Sequence, residues 1–135
     1  MKIRAGVIQQ LIAHAQKEVP FEACGYLAAR NSIITQVYPL SNIDKSSEHF
    51  SFDPREQFAA VKDARAKGLE VCAVYHSHPA SPARPSAEDI KLALDPDKFY
   101  FIVSLAADKQ DIKAFKIKAQ KVEPINLEVI SNEGV

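Results

Sequence analysis

Between Arg4 and Val19, apolar side chains recur at Ile8, Leu11, Ile12 and Ala15, the spacing of one helical face. Pro20 stops that helix, because the residue before a proline is pushed away from helical dihedrals. After a turn holding Phe21 and Glu22, the apolar stretch Cys24–Ala29 reads as a strand. Arg30-Asn31-Ser32 reads as a hairpin turn, and the β-branched run Ile33–Leu40 as the returning strand. Ser41 to His49 is polar and predicts a loop, with Phe50-Ser51-Phe52 a short strand behind it. Asp53-Pro54-Arg55-Glu56 has the marks of a helix start: a capping Asp, Pro in the first turn, and Glu three residues after the cap. That helix carries Phe58, Val61 and Ala64 and stops at Gly68.

Val71 to His76 predicts a strand. Pro79, Pro82 and Pro85 then exclude regular structure until Ser86, where a third helix carries Ile90, Ala93 and Leu94 and ends before Pro96. Phe99–Leu105 reads as a buried strand, Asp108–Asp111 as a turn, Ile112–Ile117 as another strand, and Val122–Ile130 as a last one. Hairpins mixed with helices predict an α/β (α+β) fold: a mixed, mainly antiparallel sheet packed with about three helices. No repeat, linker or low-complexity stretch interrupts the chain, so residues 1–135 read as one domain.

Composition narrows the chemistry. Seventeen Lys and Arg balance seventeen Asp and Glu. This argues against a general nucleic-acid or anionic-membrane binder, whose affinity rests on many cationic contacts. No window reads as a signal peptide or a membrane span, and the chain reads as cytoplasmic. The two cysteines, Cys24 and Cys72, are too few for a disulfide framework or a Cys-rich zinc site. Both read as small buried hydrophobes. A metal, if held, must be held by His and carboxylates.

The stretch with that potential runs from His76 to Asp89. Alternation along a strand puts His76 and His78 on one face with Cα atoms about 6–7 Å apart. Imidazoles at that separation can converge on one ion, and Asp89, one turn into the next helix, can supply a carboxylate oxygen. Two His on a strand face are also often plain surface residues. Ser86-Ala87-Glu88-Asp89 equally matches a helix capping box, with Ser86 as cap and Asp89 reaching back. The two readings differ in where the Asp89 carboxylate points. His14 and His49 read as surface residues, and Cys72 as sharing the strand face of the two histidines.

Taken together, His76-x-His78-Pro79, the interval to Ser86, and Ser86-x-x-Asp89 resemble the JAMM motif of the MPN-plus zinc metalloproteases. Glu22, ahead of Cys24-Gly25-Tyr26-Leu27, fits the place of that family's upstream Glu. The resemblance extends to the element order over nearly the whole chain and implies a single MPN-like domain. It implies one Zn2+ per chain on His76, His78 and Asp89, with a fourth position open to water. It also implies that Glu22 is the general base and acid, and that Ser86 donates a hydrogen bond to the oxyanion. Ser86 is not the nucleophile, since no other His or Lys is near to activate it.

The activity implied is hydrolysis of a peptide or isopeptide bond at the Gly-Gly tail of a ubiquitin-like or sulfur-carrier protein. The chain resembles the short stand-alone prokaryotic members of the family. An extended tail would lie along an exposed strand edge beside the zinc, with the Pro79–Pro85 loop as one wall. Two other readings remain at this point. One is a zinc amidase acting on a small molecule; the other is a non-catalytic MPN scaffold module.

Overall fold

The computed structural model describes residues 1–106 and 110–131. The chain begins with a three-residue strand, β1 (Lys2–Arg4), which the sequence pattern does not reveal, and passes directly into α1 (Ala5–Glu18). Val7, Leu11 and Ala15 are the buried positions of α1, one residue off the predicted stripe at its start, with Ile8 and Ile12 half-buried beside them. The hairpin forms as predicted from β2 (Cys24–Arg30) and β3 (Ile33–Leu40). Asn31 and Ser32 turn it with φ of 52° and 65°, the left-handed pair that matches the strand twist.

Phe50-Ser51-Phe52 does not form the predicted strand. The segment is held by one bridge between Asn42 and Phe52, because the loop folds back on its own start rather than joining the sheet. α2 (Pro54–Ala66) begins where expected, with Asp53 Oδ1 accepting from Arg55 N at 2.9 Å. Glu56 does not close a capping box; its carboxylate instead accepts from Ser41 N and Ser41 Oγ at 2.7 and 2.8 Å. Phe58, read as part of the buried stripe, is 71% exposed, and the face turned inward carries Ala60 and Ala64. Gly68 ends the helix with φ +70°.

β4 (Glu70–His78) runs two residues further than predicted and so holds both histidines within regular strand. α3 is short, Ala87–Leu92, and leaves Leu94 exposed. β5 (Phe99–Ser104) and β6 (Asp111–Lys118) follow; the first two residues of the turn expected at 108–111 lie outside the described residues, and its last begins β6. The expected last strand is two: β7 (Lys121–Ile125) and β8 (Glu128–Ile130). They lie at opposite ends of one eight-stranded sheet of order β7-β6-β5-β4-β2-β3-β1-β8.

The sheet is mixed. β1–β3, β1–β8 and β4–β5 pair parallel and the other four neighbours antiparallel. α1 covers one face, packing on Ile3, Leu27, Ile34, Ala73, Tyr75, Phe101 and Val103. Residues of the opposite parity, Ile102, Phe115 and Ile117, pack with Ile90 and Ala93 of the α3 region on the other face. That second face also receives α2, through Tyr26 to Gln57 and Tyr38 to Asp63. Alternation along β4 therefore turns Ala73 and Tyr75 toward α1, and His76 and His78 toward α3. Among the described residues, no helix is long and apolar enough to cross a membrane.

Candidate metal centre

Three side chains converge on the α3 side of β4. His76 Nε2 and His78 Nε2 lie 3.1 Å apart, and Asp89 Oδ2 lies 3.1 Å from the first and 3.0 Å from the second. Both histidines are buried, and the described residues contain no other cluster of this kind. The two readings of Asp89 prove compatible. The capping box is complete: Ser86 Oγ accepts from Asp89 N at 3.0 Å, and Asp89 Oδ2 accepts from Ser86 N at 2.9 Å. The same Oδ2 faces the histidines, so the cap itself aims the carboxylate at the strand.

The donor set fits a cation. His78 Nδ1 lies 2.8 Å from the Pro82 carbonyl, to which only its N–H can donate, so neutral His78 presents a lone pair at Nε2. That lone pair, the His76 Nε2 and a carboxylate oxygen then point at one spot. Atoms about 2.0–2.1 Å from a tetrahedral ion sit roughly 3.3 Å from one another, close to the spacing found. Without a cation the cluster depends on protons. Burial works to depress the His78 imidazole, but Asp89, the Pro82 carbonyl and Glu22 together lift it above its ordinary value. Burial works to raise the Asp89 carboxyl, but His76, His78 and the Ser86 N–H outweigh it and hold it far below the usual range.

Glu22 is not a solvated turn residue. It is 3% exposed, and its Oε1 is buried with no hydrogen-bond partner among the described residues. Burial pushes its carboxyl up to about 8, against the pull of His78; Asp89, Glu88 and Glu48 add to the rise. Its neighbour Ala23 exchanges bonds with Ser77, the residue between the two histidines: Ala23 N donates to Ser77 Oγ at 2.7 Å, and Ser77 N donates to Ala23 O at 2.9 Å. Ser77 thus ties the Glu22 turn to the histidine strand from the α1 side. Its small size between two histidines was the one available sequence signal.

Beside the cluster opens a cavity of about 200 Å3, walled by Phe50, Phe52, Leu92, Tyr100, Ile102 and Ile117 and reaching His76 and Asp89. Phe50 stacks on His76. Of the proline-rich loop, Pro85 lines this cavity, whereas Ala83 is buried against the sheet and the Pro82 carbonyl is spent on His78. The expected strand edge beside the site is not there. β4 is paired on both sides, by β2 and β5, and the sheet's free edges are β7 and β8.

Other expectations shift with the packing. Cys24 is buried, as read, and burial pushes its thiol up to about 12. Cys72 is the unmatched residue where the register passes from Leu27–Ala73 to Ala28–Val71, and it packs against the α1-side core rather than in line with the histidines. His14 is no plain surface residue: its Nδ1 is hydrogen-bonded to Tyr75 Oη at 2.8 Å. His49 is exposed but stands at the mouth of the cavity, bonded to Asp44.

Comparison with known proteins agrees with this architecture. Residues 4–118 match the family of prokaryotic homologues of the JAB domain. The CysO-cysteine peptidase of Mycobacterium tuberculosis is 32% identical over 130 residues, covering 93% of this chain and 89% of that protein. A probable TtuB-protein conjugate cleaving protease of Thermus thermophilus is 38% identical over 89 residues, 65% of this chain and 60% of that one. The crystal structure of a JAB1/MPN domain protein from Archaeoglobus fulgidus superposes with a TM-score of 0.69 at 25% identity, covering 97% of this chain and all of that one (100%).

Proposed function

The chain belongs to the prokaryotic JAB-domain branch of the JAMM (MPN-plus) family, and on that premise we propose that residues 1–135 form one catalytic domain, a zinc-dependent hydrolase. Its reaction is cleavage of a peptide or isopeptide bond after the C-terminal Gly-Gly of a ubiquitin-like or sulfur-carrier protein. The observation that carries the reading is the pairing of a convergent donor cluster, His76–His78–Asp89, with a buried Glu22 whose Oε1 has no hydrogen-bond partner among the described residues. The relatives named for a CysO–cysteine bond and for TtuB–protein conjugates support the substrate class.

His76, His78 and Asp89 would hold the ion. When bound there, zinc supplies a Lewis acid that makes water acidic near neutral pH and polarises a carbonyl. Glu22 accepts the proton that water loses on attacking the carbonyl carbon, and returns it to the leaving amine. Its burial suits both steps, because a desolvated carboxylate holds a proton more readily than an exposed one. Ser86 Oγ uses a lone pair on Asp89 N, which leaves its own O–H free to donate to the oxyanion of the tetrahedral intermediate. Glycines on the acyl side need little width, and the apolar cavity beside His76 gives room for the side chain that precedes them.

The test is to incubate the protein with a ubiquitin-like carrier bearing a short extension after its terminal diglycine and to weigh the products. Cleavage after the diglycine, abolished by chelator and restored by zinc, is expected. Equal activity on small acyl-amino acids would favour an amidase instead. An intact carrier in the presence of zinc would point to a non-catalytic module.

A further inference from the structure

We infer that Asn42 is a positioning residue, a buried side chain that sets the place of Glu22 and, with it, the rate of the hydrolysis. The inference rests on the proposed role of Glu22.

Asn42 lies two residues beyond the end of β3 and is only 8% exposed. Its amide uses all of its hydrogen-bonding capacity. Nδ2 donates to Glu22 O at 3.1 Å and to His49 O at 3.0 Å, with Ser46 O at the limit of contact, 3.5 Å. Oδ1 accepts from Asp44 N at 3.1 Å and from Ser51 N at 3.3 Å. The loop from Ser41 to Phe52 is therefore wrapped around one side chain rather than built on a ladder of its own.

Glu22 stands just ahead of β2 and takes no part in its pairing. Its main-chain N–H donates to Ser46 O at 2.8 Å, and its carbonyl accepts from Asn42. Both of its backbone polar groups thus end on the loop that Asn42 organises. The carboxylate has no equivalent tether, since Oε1 is buried with no partner among the described residues. Where that carboxylate sits is decided by where its backbone is held. A second link runs the same way. His49 O and Ser51 N, both bonded to Asn42, flank Phe50, whose ring stacks on His76. A shift of about 1 Å in a catalytic group from such a loss can lower a rate by roughly a hundredfold.

The test is a double-mutant cycle with Asn42→Ala and Glu22→Gln, each variant first shown to melt cooperatively and to carry zinc. The substrate is the carrier with a short extension beyond its diglycine. In the wild-type background Asn42→Ala is expected to lower kcat about tenfold to a hundredfold with little change in KM. In the Glu22→Gln background it is expected to cause a much smaller loss, because the carboxylate it positions is gone and only the weaker link through Phe50 to His76 remains. An equal loss in both backgrounds, or an unchanged kcat in the wild-type background, overturns the inference. If Glu22→Gln alone cleaves at the wild-type rate, the general-base reading fails first and takes this inference with it. Should Asn42→Ala not fold, Asn42→Ser serves in the same cycle: it is too short to reach Glu22 O and His49 O together, and it adds no charge beside Glu22.

Discussion

The ring of Phe50 lies over the imidazole of His76, with centroids 5.0 Å apart and planes 26° from parallel. The two candidate histidine ligands are oriented by different means. His78 is fixed by the hydrogen bond from its Nδ1 to the Pro82 carbonyl. His76 makes no such outer bond among the described residues, and the aromatic face takes that place. Phe50 in turn packs on Phe52, and Phe52 on Tyr26, whose hydroxyl accepts from Gln57 Nε2 of α2. The loop is thereby clamped between a helix and a candidate metal ligand.

Phe50→Ala should therefore weaken metal binding by about tenfold, the lower end of what losing an outer support of a ligand costs. Competition against a chelator of known affinity measures this. Phe50→Tyr, which keeps the stacked face, should bind as wild type. An unchanged affinity in Phe50→Ala would show that His76 is held by the strand alone.

Ser86 has two separable tasks. Ser86→Ala removes the acceptor for Asp89 N, which should cost about 1 kcal/mol of stability. It also removes the proposed oxyanion donor, which should lower kcat by roughly a hundredfold to a thousandfold. Ser86→Thr keeps the hydroxyl and should restore most of both. Urea unfolding and steady-state kinetics on the same preparations separate the two effects.

How much of this was legible before the structure depends on sequence distance. His76, His78, Ser86 and Asp89 lie within one strand–loop–helix unit, so their spacing carries their geometry. The α1 stripe and the β2–β3 hairpin are equally local. Glu22 was legible only as a match to a pattern, because its backbone is held by Ser46 and Asn42 of a loop whose shape no periodicity encodes. The place of β8 was not legible either: a three-residue strand crosses to the far edge of the sheet to pair with β1, and its sequence does not distinguish the two edges. Phe58 misled for a different reason. α2 meets the sheet through alanines, so its largest apolar side chain is left outside.

Gly25 is needed where it stands. It faces Tyr75 across β2 and β4, and a Cβ there would run into the Tyr38 carbonyl and the Tyr75 ring, which packs beneath the histidine strand. Gly25→Ala should destabilise the protein by about 1–3 kcal/mol, the usual result of overpacking. Urea midpoints of the metal-free protein check it; a change within error would mean that the ring moves aside freely.

Zinc should stabilise the fold more at high pH than at low. Glu22 is pushed up from 4.5 to about 8, and His78 above its usual 6.5. Both shifts are upward, so what each contributes to the metal-free fold is present below its usual value and lost as pH rises through the shifted one. Asp89 is shifted down and matters only below its usual 3.8. A cation at the cluster favours the unprotonated forms of both Glu22 and His78, which reverses the trend. The rise in Tm on adding buffered zinc should thus be larger near pH 8 than near pH 6. An equal or smaller rise at the higher pH would contradict the assignment of these groups to one site.

The most direct test of the central claim is single-turnover cleavage of the diglycine-extended carrier by Glu22→Gln, with bound zinc measured in the same sample. This substitution keeps the shape of the side chain and removes its ability to carry the proton. On the proposed mechanism, a full complement of zinc and a cleavage rate lower by at least about a hundredfold are expected. Cleavage at the wild-type rate with zinc in place would show that Glu22 is not the base and that the buried carboxylate serves the fold alone.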